Sequence, residues 1–334
     1  MHFQARSAAI IGIALVGWLT GVHGTAAQTA VLRYGVDTDR NLNALAQVVA
    51  EREGFFARAG IKLELVHFAA TGDRPNDRAA MMSARDKFDM TRVQTTLLVE
   101  EGLKGSNFVA IAGVVNNPAY FLVARPEIKT FADLKGRSLA VTIPSDGITM
   151  TAQKLLAMHG LAPGDVEIKD IGGSGPRVAC LKSGACAAAS LSQPPVFDAL
   201  DAGFHSLALH REAGSLLYVV DVVDRAWAAA HADVVTRYVR ATAAAFRFIH
   251  DPANREAVVK AAMQQTGQSE ARARQMLDYI WDPKNDALPR QGEIDMRGLS
   301  GMIALQGEFG ILTAPLPPAQ RFVDLSYLEA AGVR

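Results

Sequence analysis

Strand-like and helix-like stretches alternate along this chain, and the alternation runs through twice. In the first round, residues 31–36 (VLRYGV) read as a strand, and Leu42, Leu45, Ala46 and Val49 recur at helical spacing before Gly54. Residues 55–60 read as a short helical turn and residues 61–67 (IKLELVH) as an alternating second strand. Residues 78–87 follow as a helix, 88–93 as a third strand, and 109–115 as a nearly all-apolar fourth, the pattern of a buried strand. The second round gives strands at 138–143, 166–171 and 185–191, with helices at 149–159 and 177–182 that stop at Gly160 and Gly184. Strand–helix–strand units build parallel sheets with helices on their faces. Two rounds therefore predict two similar α/β lobes. The last third has helical periodicity throughout, at 233–250, 254–266, 269–280 and 294–306.

The N-terminus sets the expected compartment. Arg6 is followed by an uncharged apolar run over residues 8–22, and then by Thr25-Ala26-Ala27. This is the layout of a secretory signal cleaved before Gln28. The run is shorter than the roughly 20 residues a spanning helix needs. No cysteine follows it, so a lipid anchor has no attachment point. The 34 basic residues balance 34 acidic ones and form no stripe or tail, which argues against a nucleic-acid partner. Cys180 and Cys186 are expected to pair in an oxidising compartment, in a loop small enough to pin only a local corner.

Three stretches resemble the periplasmic substrate-binding proteins of ABC transporters for sulfonates, taurine, nitrate and thiamine pyrimidine precursors. They are the segment from Ala50 through Gly54-Phe55-Phe56 to Gly60 and its following strand, the segment Asp133-Leu134-Lys135-Gly136 with its strand, and the segment 181–188 followed by Gln193-Pro194-Pro195. Ala187 stands where that family commonly has an aspartate. The resemblance implies a two-lobed periplasmic-binding-protein fold of type II, with two crossing strands as a hinge and the second crossing near 216–223. It assigns residues 28–117 and 219–334 to one lobe and 118–218 to the other. It implies a protein that closes around a small molecule and passes it to an inner-membrane permease, acting as a monomer without a cofactor.

Ligands in open α/β sheets sit beyond the carboxyl ends of the strands, where helix N-termini favour anions. In the first lobe this selects Asp37, Thr71, Gly72, Arg92 and Gln94, with Asn117 near the first crossing. In the second it selects Ser145, Gly147 and Thr149, the glycine-rich turn around Ser174 that runs to Arg177, and Gln193. Arg92 is the sharpest of these, because a guanidinium can hold a carboxylate or sulfonate in two parallel bonds. Each also has a plainer reading, as a cap, a turn or a paired surface charge. Phe68, Tyr120, Phe121 and Trp227 are candidates for an apolar wall or for the core. No H-E-x-x-H pair and no nucleophile elbow is present, so the expectation is a binder of a small organic anion and not an enzyme. A neutral pyrimidine or other nitrogenous ligand, and a sensing role at a membrane receptor, stay open.

Overall fold

The computed structural model describes residues 29–36, 42–68, 81–82 and 85–333. The signal segment, Asp37, Thr71, Gly72 and half of the predicted helix at 78–87 lie outside them.

Among the described residues, ten strands form two five-stranded sheets. In chain order they are β1 (Ala30–Val36), β2 (Ile61–His67), β3 (Met90–Gln94), β4 (Phe108–Val115), β5 (Tyr120–Ala124), β6 (Ser138–Val141), β7 (Glu167–Asp170), β8 (Ala188–Ser192), β9 (His205–Leu209) and β10 (Val219–Asp224). The first sheet runs β2-β1-β3-β10-β4 and the second β7-β6-β8-β5-β9. The two share one plan. Three parallel strands stand side by side, the fourth position is antiparallel, and a fifth strand closes the edge. In each sheet the antiparallel fourth strand is the one that has just crossed from the other: β5 enters the second sheet and β10 returns to the first.

The sequence pattern finds the parallel strands to within two or three residues and misses β5 and β9. Those two lie at the crossing and at a sheet edge, without the helix that frames a βαβ unit. The helix read at 177–182 begins earlier, at Ser174, so the glycine-rich turn runs straight into its first turn.

Alternation along the second sheet builds a core on each face. Leu122, Ala124, Leu139 and Val141 point to one side, while Val123, Ala140, Ala189 and Leu191 point to the other. The first sheet shares its core with the C-terminal helices, including Tyr238, Phe246, Leu277 and Met302. The Cys180–Cys186 disulfide forms, with the two Cα atoms 5.3 Å apart, and joins the helix Ser174–Ser183 to the approach of β8.

The two crossings lie against each other. Asn117 in the first accepts a hydrogen bond from Leu216 N–H in the second at 3.3 Å and donates to the Asp286 carbonyl at 3.2 Å. The helix Met296–Glu308 rests on the second crossing through Gly298. A Cβ there would come within 2.7 Å of the Leu216 carbonyl carbon and the Leu217 nitrogen. Both are backbone atoms that cannot swing aside. Gly298→Ala is therefore expected to lower stability by about 1–3 kcal/mol, although alanine favours a helix interior by about 1 kcal/mol over glycine. Urea unfolding of the two proteins measures the difference.

Candidate functional site

A cleft of about 240 Å³ opens between the sheets, where both crossings pass. One wall comes from the second sheet. Thr142 follows β6, Gly173 and Ser174 follow β7, and Ser192 and Gln193 end β8. These are the carboxyl ends of three parallel strands, where such sheets place their ligands. The facing wall includes Leu42, Tyr279, Ile280 and Leu288, and Tyr120 and Tyr218 stand at the crossings. Among the described residues, Arg177 is the one charged side chain that lines the cleft.

Arg177 is only 1% exposed. It sits one turn into the helix Ser174–Ser183 and folds back toward the helix start. Its Nη1 donates to the Ile171 carbonyl at 3.2 Å and its Nη2 to Ser174 Oγ at 3.0 Å. Its field reaches His210, buried beneath Tyr120. Burial, with the Arg177 charge adding to it, lowers the His210 pKa to about 3. Thr151 Oγ1 gives its proton to the Gly147 and Ile148 carbonyls and therefore accepts from His210 Nδ1 at 2.8 Å. His210 is thus neutral with its proton on Nδ1, and its Nε2 has no hydrogen-bond partner among the described residues.

The sequence candidates fall into four groups. Asn117, Ser174 and Gln193 line the cleft. Asn117 spends its carbonyl and one amide proton on backbone partners, whereas the Gln193 amide, 6% exposed, meets no protein partner among the described residues. Gln94 and Thr149 stand behind the lining: Gln94 donates to the Tyr218 hydroxyl at 2.8 Å, and Thr149 bonds Thr142. Ser145, Gly147 and Arg92 are not among the lining residues. Gly147 packs on Met302 and Tyr218, where a Cβ would meet Met302 at 3.0 Å. Arg92 lies over the Tyr34 ring, 5.9 Å from its centroid, and donates to Gln47 at 3.4 Å. Its register partner on β10 is the buried Asp221, so its charge is directed at that carboxylate. Asp37, Thr71 and Gly72 lie outside the described residues.

Of the aromatic candidates, Tyr120 reaches the cleft. Phe68 packs on Phe88, Phe121 on Tyr279, and Trp227 stacks on His231. Sequence reasoning did not single out Thr142, Ser192, Tyr218 or Tyr279. It named Arg177 only as the end of the glycine-rich turn. The signal for Arg177 was its place one turn after that turn, on the side of the helix that faces the sheet.

Two α/β lobes of one topology, two crossings and a cleft between them define the fold of the periplasmic substrate-binding proteins. The chain belongs to the NMT1/THI5-like family, which matches residues 41–255. No curated protein matches it in sequence. Solved structures of similar fold include a ligand-binding component of an ABC-type import system from Staphylococcus aureus with zinc bound. That structure has 16% identity and a TM-score of 0.75, and the match covers 90% of this chain and 98% of that one. The alkanesulfonate-binding protein SsuA from Xanthomonas axonopodis pv. citri, bound to MOPS, has 18% identity and a TM-score of 0.67, covering 89% and 99%. The desulfurization enzyme DSZB has 18% identity and a TM-score of 0.65, covering 90% and 98%. Among the described residues no group of His, Cys, Asp or Glu side chains is placed to hold a metal ion.

The His210 shift carries a pH signature. Between about pH 6.5 and 3 the unfolded chain takes up a proton that the folded chain refuses, so stability falls as the pH falls through that window. The slope is at most about 1.4 kcal/mol per pH unit. Asp221, whose carboxyl burial holds above its ordinary 3.8, acts in the opposite sense just above that pH. His210→Gln is expected to flatten the acid limb relative to wild type between about pH 6 and 4, measured by denaturant unfolding across the range.

Proposed function

We propose that this protein is an extracytoplasmic solute-binding protein that closes on a small organic anion, a carboxylate or a sulfonate, and delivers it to an ABC importer. The observation that carries the anion is Arg177, the single charged lining residue among those described. A buried guanidinium interacts more strongly with an opposite charge than an exposed one does, because water screens it less. The Gln193 amide and the Ser192 hydroxyl stand on the same wall as further polar groups. The sulfonate-binding neighbour and the import component from Staphylococcus aureus share this fold, which supports a transport role. Export through a cleaved signal before Gln28 fits that role, and no helix among the described residues is long and apolar enough to cross a membrane.

The desulfurization enzyme shows that the same fold also houses catalysis. The observation that favours binding here is that both cysteines of the chain are joined to each other, leaving no thiol for chemistry. Arg92, the sharpest sequence candidate, gives way to Arg177 in this reading, because its guanidinium turns to the Tyr34–Gln47–Asp221 group.

A thermal-shift screen of the chain from Gln28 onward, against organic carboxylates, sulfonates, nitrate and pyrimidines, tests the proposal. A ligand at about a hundred times its dissociation constant adds roughly 2.7 kcal/mol of stability. The expected result is a shift with carboxylates or sulfonates and recovery of the compound unchanged by mass spectrometry. A shift with pyrimidines alone, or a chemically altered compound, rejects it. Arg177→Gln is expected to weaken anion binding by more than tenfold, the scale of a lost charge-assisted hydrogen bond, with Arg177→Lys in between. The unliganded melting point of each variant reports whether the fold survives.

A further inference from the structure

The hydroxyl groups on the second-sheet wall have a fixed direction. Ser174 Oγ lies 3.0 Å from Arg177 Nη2 and 3.0 Å from the Ser192 backbone N–H, and both of these groups only donate. It also lies 2.9 Å from Ser192 Oγ. A hydroxyl has two lone pairs and one proton. With both lone pairs of Ser174 in use, its proton goes to Ser192 Oγ. The proton of Ser192 is then turned away from Ser174, and Ser192 lines the cleft. Ser192 therefore offers a ligand its proton, with one lone pair left over.

The neighbouring strand end has the opposite polarity. Thr149 Oγ1 lies 3.0 Å from the Thr142 carbonyl and 3.0 Å from Thr142 Oγ1. A carbonyl only accepts, so both contacts are satisfied when Thr149 gives its proton to the carbonyl and receives that of Thr142. Thr142, also on the cleft wall, is left with lone pairs.

One wall therefore carries a donor beside Arg177 at the end of β8 and an acceptor at the end of β6. We propose that the ligand is a small organic anion that also carries a hydroxyl group. Its anionic oxygens lie on the Ser192–Arg177 side, and its hydroxyl donates to Thr142. An ammonium group in place of the hydroxyl would bring a second positive charge into a cleft whose one charged lining residue, among those described, is already a cation. An unsubstituted anion leaves the Thr142 lone pairs desolvated without a donor, which carries a penalty. The inference rests on the anion-binding reading above and narrows it.

Two matched pairs of probes test it: lactate against propionate, and isethionate against ethanesulfonate, titrated by calorimetry. The hydroxylated member of each pair is expected to bind about tenfold more tightly, the worth of one satisfied hydrogen bond in place of an unmet acceptor. Thr142→Val brings that ratio to about one, and Thr142→Ser keeps it. Ser192→Ala weakens both members of a pair together and leaves the ratio in place. Wild-type protein that binds both members of each pair equally overturns this inference and leaves anion binding standing. Wild-type protein that binds none of the four, nor any other anion, overturns both. Neutron diffraction from deuterium-exchanged crystals reads the hydroxyls without any ligand. A deuteron of Ser174 on the line to Ser192 supports the assignment, and a deuteron of Ser192 pointing at Ser174 overturns it even if a variant fails to fold.

Discussion

Asp221 sits with no exposure in the middle of β10, and the side chains of four other elements converge on it. Tyr34 of β1 donates to it at 2.5 Å and Tyr238 of the helix Ala232–His250 at 2.7 Å. Gln47 of the helix Leu45–Arg52 donates at 3.3 Å, and Arg92 faces it across β3. A buried carboxylate is costly without such partners. A slip of β10 by one residue would turn Asp221 to the other face of the sheet and strand it there. The cluster thus specifies one register for the strand that brings the chain home. That register in turn places Tyr218, one residue before β10, where its backbone pairs with Thr95 and Val115 and its ring borders the cleft. The position of the second crossing, and so the shape of the cleft, follows from a group that never touches it.

The repeating strand–helix pattern was legible in the sequence because it is local: apolar periodicity and glycine stops lie within one unit. The strands that escaped notice are the ones whose partners are distant. β5 (YFLVA) pairs with β8 and β9, and nothing in its own five residues announces an antiparallel crossing. The same limit explains the two arginines. Arg92 and Arg177 both follow strand-and-turn patterns that suit an anion. Which one lines the cleft depends on contacts far along the chain: Arg92 stands in register with the buried Asp221. It depends also on the start of a helix at Ser174, three residues earlier than its apolar spacing suggests. Ser192 and Thr142 were invisible for a further reason. A serine or threonine at a strand end is common, and its polarity toward a ligand depends on which protons its neighbours have already claimed.

The hinge is built from the same kind of economy. Asn117 joins the two crossings, so they are coupled where the chain passes between the two sheets. Gly298 lets the helix Met296–Glu308 lie directly on the second crossing, and Gly301 brings the next turn to the Ser215 carbonyl, where a Cβ would stand at 3.3 Å. Hinge residues are the few that absorb backbone change while the packed lobes stay rigid. Here the crossings are clasped to each other and to the C-terminal helices.

The two walls of the cleft differ in kind. The second-sheet wall holds the cation and the hydroxyls, which hydrogen-bond to buried neighbours, and beside them the Gln193 amide. The facing wall, among the described residues, is mostly apolar: Leu42, Ile280, Ala287 and Leu288 around the Tyr279 ring. Directional groups discriminate because they leave a wrong ligand unpaired, whereas apolar burial contributes by area and has no preferred direction. On the proposed reading, the polar wall sets the orientation of the ligand, and the described apolar residues opposite it contribute buried area. In the proposed site, specificity rests with Arg177, Ser192 and Thr142, and the apolar residues opposite them add burial without direction.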